Sequence, residues 1–136
     1  MIDDQPLVRI GMRGVLGDRF ELHESSSREE GLELVRDIGD FDVAIVDMRW
    51  RSNGAGPSIS GPETIRMLHR SLPSLGVVAH GSRPERHLAT AAIQAGASAY
   101  VSRTAGPEEL RRAVDAAAAQ ESFLDPEVPP KAAAAS

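Results

Sequence analysis

With 136 residues, the chain has the length of one domain. Its formal net charge of −5 argues against nonspecific nucleic-acid binding, which normally needs a basic face, and the absence of cysteine excludes disulfides, thiolate metal sites and cysteine nucleophiles. No apolar run approaches the ~18 residues of a membrane span, and the opening MIDDQPL lacks signal-peptide character, so the expected location is the cytoplasm.

Met1-Ile2 leads as a short strand into an acidic pair, Asp3 and Asp4. Residues 6–16 then place Leu7, Ile10, Val15 and Leu16 roughly along one helical face, and Pro6 suits a first helical turn. Residues 20–23 alternate like a strand. Ser26 or Ser27 followed by Glu29 and Glu30 reads as a helix start, with Leu32, Leu34 and Val35 on its apolar side. Residues 41–46 form an apolar strand broken only by Asp42, and Asp47 closes it. Arg49 opens a long polar loop, RWRSNGAGPSIS, which runs to Ser60. Gly61-Pro62-Glu63 starts a third helix that reaches about Ser71. Residues 76–80 are a short buried strand, residues 84–95 a fourth helix closed by Gly96, and residues 98–102 a fifth strand. Gly106-Pro107-Glu108-Glu109 opens a last helix that runs to about Gln120, and residues 129–136 are low in complexity, a disordered tail or the start of a linker.

Alternation of this kind implies an α/β fold, a doubly wound five-stranded parallel sheet with helices on both faces, over residues 1–128. Such sheets bind ligands outside the carboxyl ends of their strands. Asp3, Asp4, Asp47, Gly81 and Arg103 all fall at such ends. Three converging carboxylates repel one another unless a cation holds them, and a hard, oxygen-liganded ion such as Mg²⁺ suits them. There is no G-x-G-x-x-G and no P-loop, so a nucleotide-binding enzyme is poorly supported.

Five stretches in order carry a family resemblance: IDDQPLVRIGMRGVL, DVAIVDMR, GPETIRML, AAIQAGASAYVSR and GPEELRRAVDAAAAQESFLDPEV. Together the chain resembles a response-regulator receiver domain of the NarL/FixJ kind, whose members carry a LuxR-type output domain. The resemblance implies the flavodoxin/CheY-like (βα)5 fold and a regulatory rather than enzymatic role. It implies that Asp47 accepts a phosphoryl group from a sensor histidine kinase. It also implies that Asp3, Asp4, Asp47 and the backbone carbonyl of Arg49 hold Mg²⁺, and that the domain forms a homodimer. DNA would be bound only through an output domain that is not part of this chain.

The sequence departs from the family at three places. Arg103 stands for the lysine at the end of the fifth strand, and the two cations differ in plane and reach. Gly81 stands for the Thr or Ser at the end of the fourth, with Ser82 as the neighbouring hydroxyl. The loop after Asp47 is about six residues longer than the family pattern. These departures favour a second reading, a pseudo-receiver that acts as a phosphorylation-independent dimerisation or docking module or senses another ligand. On the first reading, Gly81→Thr is expected to strengthen the response to phosphorylation. Tyr100 stands where the family has a rotating aromatic; a half-buried strand tyrosine accounts for it nearly as well, because without a hydroxyl at position 81 the usual coupling lacks one end. His23, His69, His80 and His87 show no metal-binding pattern, and Trp50 is a loop anchor or a contact residue.

Overall fold

The computed structural model describes residues 1–2, 6–48 and 60–130. Helices and strands alternate as α1 (Pro6–Leu16), α2 (Arg28–Ile38), β1 (Val43–Asp47), α3 (Gly61–Ser71), β2 (Gly76–Gly81), α4 (Arg86–Ala95), β3 (Ala99–Ser102), α5 (Pro107–Ala118) and β4 (Phe123–Leu124). The strands form one parallel sheet in the order β1-β2-β3-β4.

The helices start where local chemistry dictates. Ser27 is the N-cap of α2, and its hydroxyl accepts the Glu30 N–H at 3.1 Å. Ser60 does the same for α3, accepting the Glu63 N–H at 3.2 Å. The fourth helix begins two residues later than its sequence pattern suggests, because Glu85 takes the extended backbone of an N-cap, φ −96° and ψ 138°. The fifth ends at Ala118, just before Gln120 turns to φ 60°.

Two apolar layers sandwich the sheet. On one face Val35 of α2, Ile65 and Leu68 of α3, and Ala89 and Ala92 of α4 pack with Val46, Val77 and Ala79. On the other, Met12 and Leu16 of α1 and Leu110, Val114 and Ala117 of α5 pack with Ile45, Val78 and Val101. Both faces of the strands are therefore buried, which is why they read as continuous apolar runs rather than alternating ones. Ile65 and Leu68 are fully buried, each contributing about 1.5–3 kcal/mol.

At the edge beyond β1, isolated bridges are the only pairing among the described residues. Ile2 pairs in parallel with both Ser25 and Val46, which gives the sheet order Ser25, Ile2, β1 at that edge. Residues 20–23 make no ladder despite their alternation; the bridge to Ile2 is made by Ser25 instead. At the opposite edge stands a strand that the pattern did not suggest, β4, whose two residues are too few to show a period.

Candidate functional site

The strands β1, β2 and β3 end nearly in step. Asp47 pairs with His80, and Gly81 pairs with Ser102. Two further bonds extend the alignment past the ladder: Met48 N–H donates to the His80 carbonyl at 2.8 Å, and Arg103 N–H donates to the Gly81 carbonyl at 2.9 Å. The register thus brings Asp47, Gly81 and Arg103 to one edge of the sheet, the edge where parallel α/β folds bind ligands.

Asp47 is 5% exposed. Its N–H donates to the Ile2 carbonyl at 3.0 Å, and the Arg28 guanidinium donates from Nη2 to its carbonyl at 3.2 Å. Helix α3 begins directly against it. A Cβ at Gly61 would lie 2.7 Å from Met48 Cα and 3.0 Å from the Asp47 carbonyl oxygen, so only glycine lets the helix approach this closely. Arg28 did not stand out in the sequence. The one signal was a cation in the first turn of a helix, where the macrodipole disfavours it.

Arg103 is partly buried, and its Nε and Nη2 atoms are shielded from solvent with no hydrogen-bond partner. Leaving such donors unmet costs about 1–3 kcal/mol, more for a charged group. A cation held this way at a strand end suits an anionic ligand. With His80 it lines one end of a groove of about 390 Å³, whose apolar walls include Val8, Met12, Val101 and Leu110.

Gly81 ends β2 against a side chain from β3. The fully buried Tyr100 fills the space beside it. A Cβ built on Gly81 would lie 1.9 Å from the Tyr100 hydroxyl oxygen and 2.6 Å from Cζ. That hydroxyl donates to the Arg83 carbonyl at 2.5 Å. Burial, and next the charges of Asp125 and Glu85, push the phenol up to about 12. Tyr100 is therefore a neutral, fully packed donor rather than a half-buried strand tyrosine. Gly81→Thr cannot simply supply a missing hydroxyl, because the added atoms collide with the ring. Ser82 lies just beyond β2 and is exposed.

Asp3, Asp4 and Arg49 lie outside the described residues, as does Trp50. The described chain reaches their immediate neighbours: Ile2 is bonded to Ile45 and Asp47, and Met48 to His80. No group of three metal-ligating side chains occurs among the described residues, and no helix among them is long and apolar enough to cross a membrane.

Comparison with known proteins places the site in context. The family model of the response regulator receiver domain matches residues 1–115. The transcriptional activator protein ExaE of Pseudomonas putida is 31% identical over 134 residues, an alignment covering 92% of this chain and 56% of that protein. The nitrate/nitrite response regulator protein NarL of Escherichia coli K12 is 31% identical over 138 residues, covering 98% and 60%. The chain thus spans little more than half the length of these relatives. Among solved structures, a LuxR-family two-component response regulator from Aurantimonas sp. SI85-9A1 superimposes with a TM-score of 0.80 at 25% identity, over 93% of this chain and 88% of that one. The isolated receiver domain of RcsB from Salmonella enterica, determined with the phosphomimetic BeF3−, gives 0.78 at 21% identity over 93% and 91%, a likeness of fold.

Proposed function

The chain belongs to the response regulator receiver domain family, and we propose that Asp47 is its phosphoacceptor, supplied by a sensor histidine kinase. A carboxylate oxygen of Asp47 attacks the phosphorus of a phosphohistidine. The P–N bond breaks, the imidazole leaves with its electron pair and takes up a proton, and an acyl phosphate remains on Asp47. Such transfer depends mainly on positioning and charge neutralisation.

The observation that carries this reading is that one end of the sheet holds both a buried strand-end carboxylate and a strand-end guanidinium whose Nε and Nη2 have no partner. Arg103 is set to take the phosphoryl oxygens in a fork. Arg28 holds the Asp47 main chain through its carbonyl. The donor set suits Mg²⁺: Asp3 follows Ile2 directly in sequence, Ile2 is hydrogen-bonded to Asp47, and all proposed ligands are oxygens. Asp3, Asp4, Asp47 and the Arg49 carbonyl would hold the ion, which when bound offsets the charge between carboxylate and phosphoryl group.

The partners that follow from this reading are the kinase, a second copy of the chain, and DNA through an output domain elsewhere in the parent protein. The test is beryllofluoride with Mg²⁺, read by amide shifts. Shifts at Asp47, Gly81 and Arg103 that vanish in Asp47→Ala support the proposal, and an unchanged spectrum in the wild type refutes it. One observation favours the second reading, a phosphorylation-independent module. Tyr100 fills the space beside Gly81, so the strand end has neither a hydroxyl nor room for one. If so, oligomeric state is the same with and without beryllofluoride.

A further inference from the structure

The buried carboxylate of Asp125 has no part in the chemistry proposed above. It is 2% exposed and lies in the segment after α5, at the outer edge of the sheet. That segment runs along β3 as a parallel strand. Phe123 N–H donates to the Ser98 carbonyl at 3.2 Å, and Asp125 N–H to the Tyr100 carbonyl at 2.8 Å. On the regular ladder the next rung would join Ser102 N–H to the Asp125 main-chain carbonyl. Here that carbonyl accepts Val128 N–H at 3.0 Å and turns the chain, and the Asp125 side chain takes over the rung. Its Oδ2 accepts both the Ser102 N–H and the Ser102 hydroxyl, each at 2.9 Å, while Oδ1 accepts Glu127 N–H at 2.9 Å.

These bonds bracket Arg103. The Ser102 hydroxyl proton is committed to Asp125, so Thr104 must donate to Ser102 Oγ across their 2.8 Å contact. The residues on both sides of Arg103 are therefore tied to one carboxylate, Ser102 directly and Thr104 through it. No cation among the described residues pairs with that carboxylate; Oδ2 takes the two Ser102 donors beside Arg103, and Oδ1 takes Glu127 N–H within its own turn.

We propose that Asp125 is a positioning residue: it fixes Ser102 and Thr104 around Arg103, and so passes the occupancy of the strand-end site to residues 123–128. The inference rests on the phosphoacceptor reading of that site. A phosphoryl group that draws Arg103 toward Asp47 moves Ser102 and Thr104, and the carboxylate carries the displacement into the turn that Val128 closes. By linkage the effect is reciprocal, so a change at Asp125 must alter Arg103.

The experiment uses residues 1–136 with two readouts, hydrogen exchange of the 121–130 segment and the Arg103 Nε–H resonance. In the wild type, beryllofluoride with Mg²⁺ shifts the Asp47 amide and changes exchange in the segment by at least about fivefold, the lower end for coupled sites. In Asp125→Asn the Asp47 shift persists while the segment changes by less than about twofold. Ser102→Ala, which keeps the main-chain bond, gives an intermediate response and serves if Asp125→Asn fails to fold. A wild-type Asp47 shift with no change in the segment overturns the proposal, as does a full response in both variants. If Asp47 itself does not respond, the phosphoacceptor reading falls. The positioning role is then judged without beryllofluoride: an Arg103 Nε–H resonance that is the same in wild type, Asp125→Asn and Ser102→Ala overturns it.

Discussion

Tyr100 occupies the volume that any side chain at position 81 would need, with its hydroxyl oxygen 1.9 Å from where the Gly81 Cβ would be. The two residues lie on neighbouring strands, and Tyr100 pairs with Ala79, two residues before Gly81. Glycine at the end of β2 and a tyrosine turned inward from β3 are thus one packing decision.

That coupling makes Gly81→Thr costly. Overpacking a filled site costs about 1–3 kcal/mol, and here the neighbour is an aromatic ring in a closed layer. The substitution is expected to lower thermal stability and to expel the ring. In a Tyr100→Ala background the same change should cost much less. A double-mutant cycle by denaturant unfolding measures the difference, and equal costs in both backgrounds would show that the ring is not what Gly81 accommodates.

Tyr100 is the only tyrosine in the chain, so its ionisation can be followed by ultraviolet absorbance. Its folded-state value is raised to about 12 from 10.0. The unfolded phenol loses its proton first, so the stability this residue contributes is complete below pH 10 and is lost as pH rises from 10 toward 12. The folded protein is expected to titrate near 12 and the protein in denaturant near 10. Tyr100→Phe should remove that alkaline loss of stability. A folded-state midpoint at the ordinary value would mean that the ring is solvated.

Arg103 sets stability against binding. Its Nε and Nη2 are buried without partners, and relieving unmet donors is worth about 1–3 kcal/mol. Arg103→Met is expected to raise the unfolding midpoint and to weaken the beryllofluoride response. Arg103→Lys should retain more of that response, since it keeps the charge and loses only the fork. A methionine variant that is less stable than wild type would show that the guanidinium has compensating contacts in solution.

Two glycine substitutions separate the site from the scaffold. Gly61→Ala places Cβ 2.7 Å from Met48 Cα, against backbone that cannot swing away. It is expected to cost about 1–3 kcal/mol and to weaken beryllofluoride binding by moving α3 off Asp47. Gly11→Ala meets nothing within 4 Å in the middle of α1. It should stabilise the chain by roughly 0.5–1 kcal/mol and leave binding unchanged. Thermal melts with and without beryllofluoride test both, and a Gly61→Ala protein with full stability would contradict the close approach of α3.

The sequence was most readable where one residue type serves both local and global structure. Continuous apolar runs marked β1, β2 and β3 because both faces of each are covered. Serine followed three residues later by glutamate marked α2 because the cap satisfies an otherwise unpaired N–H, whereas Gly61-Pro62-Glu63 marked α3, whose Ser60 cap did not stand out. Asp47, Gly81 and Arg103 could be placed at strand ends by spacing alone. What could not be read was lateral. Nothing near Gly81 in sequence says that a ring nineteen positions away fills its space. Nothing about Arg28 announces that it reaches the Asp47 carbonyl. The Asp125 carboxylate completes a rung on a strand that sequence periodicity does not reveal. Each depends on which elements become neighbours, a property of the assembled sheet rather than of any window of residues.

The short strand β4 has a practical consequence for protein engineering. A chimera that joins this domain to a foreign output module just after α5 would strip Phe123 and Asp125 from β3. The Ser98 and Tyr100 carbonyls would then face water on a bare sheet edge, and the inner layer would lose Val128. Such an edge invites pairing with other chains. A fusion point beyond Val128 keeps the edge covered, so the six residues 123–128 determine whether the transplanted domain aggregates through β3.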